Sequence, residues 1–150
     1  IRKQATDVVA LLSDSARCQV VLVTLPEEMP VSEAIDTAFA IEDRAGVALG
    51  PIFVNGCYDA LPAGVSASVA AIEQDATTLD RFVSEREAAH LAHAAAFRAE
   101  RYAIQTDQIA RLADRLPLHQ IRLPFLYTPD IGRAEVDVLA DATTRGIEAL

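Results

Sequence analysis

The chain carries a single lysine, Lys3, only two cysteines and only six glycines, and each scarcity closes off a class of chemistry. A phosphate-cradling P-loop needs a glycine-rich turn ending in Lys and Ser or Thr, so that backbone N–H groups and the ammonium hold the phosphates. Nothing before the apolar run at Val20 can form that turn, and Lys3 stands too early to complete one. Cys18 and Cys57 are too few for a disulfide framework and point to a reducing, cytoplasmic compartment. Positive charge is scarce as well. A net charge of −9 disfavours nonspecific nucleic-acid binding and docking on an anionic membrane. There is no apolar run of bilayer-spanning length, no signal peptide, and no nucleophile–base constellation.

What is present reads as one globular domain. Hydrophobic residues make up 51% of the 150 residues and charged ones 23%, enough to bury a real core. The chain is organised around the stretch from Val20 to Ala34. Gln19 to Leu25 is the pattern of a strand covered on both faces, central in a parallel sheet. The run breaks at Pro26 and Pro30, which flank Glu27 and Glu28, and a helix is expected from Val31 to Ala45 with Ser32 as its cap and Gly46 as its stop. A second strand, Ile52-Phe53-Val54, follows, then Asn55-Gly56. Strand, helix and strand with short connections make a right-handed parallel unit, whose ligand crevice lies beyond the carboxyl ends of the strands.

Before this unit, Gln4 to Leu12 reads as an amphipathic helix with Val8, Val9, Leu11 and Leu12 as its stripe. After it, Cys57 to Val65 reads as a loop, and residues from about 66 to 116 as a helical insert in two or three pieces. Phe82, Phe97, Ile104, Ile109, Leu112 and Leu116 supply its anchors. His119 to Pro124 is a third strand, 126–132 a loop, and Arg133 to Thr143 a last helix presenting Val136, Leu139 and Ala140.

The run Thr24-Leu25-Pro26-Glu27-Glu28-Met29-Pro30, followed by Val54-Asn55-Gly56, resembles the anion-transporting ATPase family. This family comprises the arsenical pump-driving and tail-anchored-protein-targeting ATPases, P-loop NTPases that work as dimers. Arg98, Tyr102, Gln105, Ile109 and Leu112 resemble a later helix of that family, and Leu123-Pro124-Phe125-Leu126 resembles its final strand and loop. The resemblance implies a three-layer α/β fold, a mostly parallel sheet with helices on both faces, forming the C-terminal half of a P-loop NTPase. It assigns Asn55 to the adenine edge, Pro124 to packing on the base, and Phe125 and Leu126 to the same pocket. Pro26 and Glu27 would lie near the nucleotide and the subunit interface. ATP and Mg2+ would be the cofactors of the intact protein. The implied partners are a missing N-terminal P-loop portion, a second ATPase subunit (the same chain or a homologue), and a membrane-protein or client partner; nucleic acid is not among them.

On these terms the chain cannot hydrolyse ATP alone. Its start at Ile1, in mid-domain and without Met, leads us to expect the C-terminal portion of a longer ATPase, which supplies adenine-binding and dimer-interface elements for an ATP-dependent switch. The alternative is a catalytically inert α/β interaction module that pairs with an active homologue. Individual residues keep two readings each. Asn55-Gly56 is a common turn pair, or, because an amide offers a donor and an acceptor together, a base reader. Glu27 and Glu28 invite an acid/base reading, but neighbours on an extended turn point apart, which favours a contact role. His90 and His93, at i and i+3 with Glu87 one turn earlier, have metal-ligand spacing without a cysteine to join them. Glu85-Arg86-Glu87 and the run Arg98 to Arg101 read as solvated faces with local ion pairs.

Overall fold

Ile52, Phe53 and Val54 are β-branched or aromatic, residues that fit a pleated, half-buried surface. In the computed structural model, which describes residues 2–62, 64–65 and 84–150, they lie in the middle strand of a three-stranded sheet. The strands are β1 (Val23–Thr24), β2 (Ile52–Cys57) and β3 (Gln120–Pro124), in the order β1-β2-β3, and both pairings are parallel. The described helices are α1 (Arg2–Leu12), α2 (Glu28–Ala40), α3 (Glu85–Arg115) and α4 (Arg133–Glu148). The architecture is α/β. The chain divides into two compact units, one formed by Ile1–Cys57 with Gln105–Leu150 and the other by Tyr58–Ile104.

The core of the first unit follows from helical and strand periodicity. Val31, Ala34, Ile35 and Ala38 recur every three to four residues along α2, and Ile109, Leu112 and Leu116 do so along α3. Both stripes close on Ile52 and Val54, which alternate to one face of β2. Consecutive residues of β3 turn to opposite faces. Gln120 Nε2 donates to the Ile109 carbonyl of α3 at 3.1 Å, whereas Ile121 packs against Gly146 of α4. Helices therefore meet both faces of the sheet at β3.

Several boundaries differ from the sequence expectation, each for a local reason. The expected strand from Gln19 to Leu25 pairs regularly only over Val23–Thr24, with one isolated parallel bridge between Val20 and Leu49. It lies at an edge of the described sheet rather than its centre. Thr24 is buried and Leu22 half-buried, while Val21, Val23 and Leu25 are exposed, so one face alone is covered. An apolar run reports that both faces are oily, not that both have partners. The helix expected from Val31 begins instead at Glu28, because Pro30 falls in the first turn, where its missing N–H has no helical acceptor to lose. Ser32 is not its cap: its hydroxyl donates to the Glu28 carbonyl at 2.8 Å and accepts from Arg111 of α3 at 3.0 Å. The helix runs on through a π-helical turn, Ile41–Ala45, and stops at Gly46 with φ 63°, as its glycine implies.

Elsewhere, α1 forms as expected, but Val8, Val9, Leu11 and Leu12 remain exposed. The last helix extends to Glu148. Leu139, Ala142 and Gly146 face inward, while Val136 and Ala140 face out. In the expected insert, residues 66–83, Phe82 among them, lie outside the described residues, and the described part is one continuous helix. Of its expected anchors, Ile109, Leu112 and Leu116 are buried, whereas Phe97 and Ile104 are exposed.

In the second unit, Arg98 is not merely solvated. Its guanidinium lies 5.2 Å from the centroid of the Tyr58 ring and donates to the Asp59 carbonyl at 3.0 Å. Glu87 closes a capping box at the start of α3. Ser84 Oγ donates to Glu87 Oε2 at 2.6 Å and the Ser84 N–H at 2.9 Å, while the Glu87 N–H donates back to Ser84 Oγ at 3.3 Å. The Ser84 hydroxyl first, and its backbone N–H second, hold the Glu87 carboxyl below its ordinary range, with His90 adding a smaller attraction. A lowered carboxyl contributes stability that is complete above its unfolded value and is lost as pH falls through the folded one. Protection of the amides at residues 84–88 against exchange should therefore fall on acidification through that range, and Ser84→Ala, which keeps only the backbone bond to Glu87, should blunt the acid response. An unaltered acid response in Ser84→Ala would remove the box as its cause.

Candidate functional site

Three strand ends define the carboxyl rim of the sheet: Thr24-Leu25-Pro26-Glu27 after β1, Asn55-Gly56-Cys57 closing β2, and Pro124-Phe125-Leu126 closing β3. Asn55-Gly56 is not a turn between elements, because the strand continues through it. Val54 stands opposite Arg122 and Cys57 opposite Pro124, so three steps on β2 span two on β3. The extra residue makes a β-bulge, a device that bends a strand and re-aims a side chain. Gly56 takes φ 75°, in the left-handed region that favours glycine. Pairing resumes beyond it, where the Phe125 N–H donates to the Cys57 carbonyl at 2.8 Å. From α3, the buried Gln105 donates through Nε2 to the Gly56 carbonyl at 3.1 Å.

Asn55 is exposed beside this bulge and borders a hollow of about 400 Å³ between β1 and α2. Thr24, Leu25, Pro30, Glu33 and Thr37 complete the part of its lining that bears on chemistry. Its volume falls in the lower range of small-molecule sites, about 300–1,000 Å³. Glu33 is the one charged side chain in the lining, so the hollow favours neutral or hydrogen-bonding groups and opposes anions. Pro124, Phe125 and Leu126 do not line it. They stand on the other side of the bulge, with Pro124 and Leu126 half-buried and Phe125 exposed. The Phe125 ring meets Tyr127 edge-on at 4.9 Å between centroids. A Cβ built on Gly56 would touch both Phe125 and Leu25, at 3.8 and 3.9 Å, so these two apolar side chains flank the bulge.

The structure thus brings Asn55, Gly56 and Phe125 to one rim, and it separates Asn55 from Pro124 by the bulge. Pro26 is fully buried within the chain and Glu27 is half-buried, its backbone capping α2. The Glu27 carbonyl accepts from the Val31 N–H at 3.0 Å. Among the described residues no group of three or more His, Cys, Asp or Glu gathers in a metal-binding cluster, and no helix is long and apolar enough to cross a membrane. Sequence reasoning gave no structural role to Gln105 and did not place Thr24, Glu33 or Thr37 around Asn55. A glycine inside an otherwise strand-like run was the available signal for the bulge. Neither a family model nor a curated protein sequence matches the chain.

Proposed function

We propose that this chain recognises the adenine base of ATP at its carboxyl rim and forms part of a dimeric, ATP-dependent switch of the anion-transporting ATPase kind. In this reading its sheet is the C-terminal half of a three-layer P-loop NTPase fold. The observation that carries the proposal is Asn55, an exposed amide set at a bulge of the central strand, with an exposed aromatic ring across the bulge. An amide there offers the donor–acceptor pair that a base edge needs. Phe125 supplies the apolar surface on which a flat ring packs.

The rim fits the base and not the triphosphate. Glu33 repels phosphate, and the chain has no lysine beyond Lys3 to hold one. Phosphates and Mg2+ therefore belong to a P-loop portion supplied by other residues, and hydrolysis occurs only in that assembly. Among the described residues β1 lies at an edge of the sheet, and with Val21 and Val23 exposed it offers the surface on which that portion packs. Nucleotide state would then favour one dimer arrangement over another, to the extent that ATP binds them differently. Because Pro26 is buried, Glu27 is the member of that turn that reaches a second subunit.

In the assembled ATPase, Asn55→Ala should weaken ATP by about tenfold or more, as expected for losing two hydrogen bonds to a base edge, with the thermal midpoint unchanged. Unchanged ATP affinity removes the adenine assignment. The exposed apolar side chains of α1 and β1 favour a second reading, an inert module that pairs with an active homologue. Assembly that survives Asn55→Ala, with no nucleotide dependence in either form, would favour that module.

A further inference from the structure

A β-bulge takes a backbone carbonyl out of regular strand pairing, and the carbonyl of Gly56 at this bulge is met by a side chain from another element. Gln105 is 4% exposed, and its Nε2 reaches that carbonyl at 3.1 Å. A primary amide is expensive to bury unless it is hydrogen-bonded, so a buried glutamine that donates to a backbone oxygen fixes the geometry at that point. A second glutamine ties the same helix to the sheet: Gln120 of β3 donates to the Ile109 carbonyl. The two bonds run in opposite directions, from helix to strand and from strand to helix. They lie one helical turn apart on α3, at residues 105 and 109. Gln120 secures α3 against β3, and Gln105 uses that fixed helix to hold the bulge of β2.

The residue held is the neighbour of Asn55. Gly56 is the position with the freest backbone in β2, at φ 75°, and without a partner for its carbonyl the peptide between residues 56 and 57 could rotate. Because that rotation changes the Gly56 backbone angles, the strand could straighten at the bulge, which would re-aim the Asn55 side chain relative to Phe125. We propose that Gln105 is a positioning residue for base recognition, holding the bulge so that the Asn55 amide is presented at the rim beside Phe125. This inference rests on the reading of Asn55 as the base-recognising group. It adds that the selectivity of the site is set from α3, by a side chain that never touches the ligand.

The test uses the chain itself with adenosine as the probe, since adenosine lacks the phosphates for which these residues have no holder. Gln105→Leu keeps the bulk and deletes the donor. Without ligand, the Gly56 and Cys57 amide signals should shift and exchange faster with solvent. With ligand, adenosine affinity should fall about five- to tenfold, the scale of one lost, well-aligned hydrogen bond, and preference over guanosine should fall with it. Gln105→Glu provides the check that a purely structural role would not pass. Its carboxyl donates to the Gly56 carbonyl only when protonated, and burial favours that neutral form. Adenosine binding by this variant should therefore recover as pH is lowered, over a range in which the wild type is unchanged. Unaltered adenosine affinity in Gln105→Leu, or a pH response of Gln105→Glu no different from wild type, overturns the proposal while leaving Asn55 as the reader. Wild-type chain that shows no Asn55-dependent adenosine binding removes the base reading itself, and the positioning role with it, whatever the amide signals report.

Discussion

Leu112→Ala should lower the unfolding free energy by about 2–5 kcal/mol, the range for truncating a fully buried leucine and leaving a cavity. Leu112 is 0% exposed and belongs to the cluster that α2 and α3 close over Ile52 and Val54. It comes from a helix and packs against residues far away in sequence, so the surroundings cannot collapse on the void without moving α3 off the sheet. Urea titration of the wild type and variant, read by far-UV circular dichroism, gives the difference directly. Phe97 is the comparison, because it sits on the same helix, is a larger side chain, and is 63% exposed. Phe97→Ala should change stability by no more than about 0.5 kcal/mol, as surface substitutions do. A loss below about 1 kcal/mol for Leu112→Ala is too small for a cavity in a close-packed core and would mean that this face of α3 is not packed as described.

The contrast between Leu112 and Phe97 marks how far a sequence can be read. Both stand at helical spacing in an apolar pattern, and nothing in the pattern says where a long helix stops being covered. The existence of the elements was legible: each of the three strands, the helix between the first two, and the last helix overlaps the segment that periodicity and glycine or proline punctuation gave it, although their ends differ. Coverage was not. Val21 and Val23 read as buried because a β-branched run looks the same whether one face or both have partners, and α1 shows the same ambiguity with Val8 and Leu12. Pro30 misplaced the start of α2 because proline both breaks helices and tolerates their first turn. The site was half legible. Asn55 could be picked out for its amide and its place after a strand. The bulge that positions it depends on pairing with β3 some 65 residues later, between Cys57 and Pro124, and a register of that kind is not written in either segment alone.

Gly146 shows the same limit from the packing side, and it supports the last expected result. A glycine in a helix ordinarily costs about 1 kcal/mol relative to alanine, so Gly146→Ala would normally stabilise. Here a Cβ would lie 2.6 Å from Ile121 Cγ2, with Ile121 Cγ1 at 3.1 Å and Cβ at 3.2 Å. These are atoms at the root of a branched side chain that is 1% exposed, so no flexible end can swing aside. Either α4 lifts from β3 or Ile121 is displaced, and overpacking of this sort costs about 1–3 kcal/mol. The propensity gain is also small, because Gly146 lies in the last turn of α4, which ends at Glu148. Gly146→Ala should therefore destabilise by about 1–2 kcal/mol once a gain smaller than the usual ~1 kcal/mol is set against that cost. The sign should reverse in an Ile121→Ala background, where both colliding γ carbons are gone, and it should persist in Ile121→Val, which keeps them. Thermal melts of these variants form a double-mutant cycle whose coupling energy isolates the contact. The same displacement reaches the rim, because Ile121 is three residues before Pro124 on the strand that Cys57 pairs with. A Gly146→Ala chain should thus show perturbed Phe125 and Cys57 amide signals. Stabilisation by Gly146→Ala in the wild-type background would show that α4 does not approach β3 at this distance.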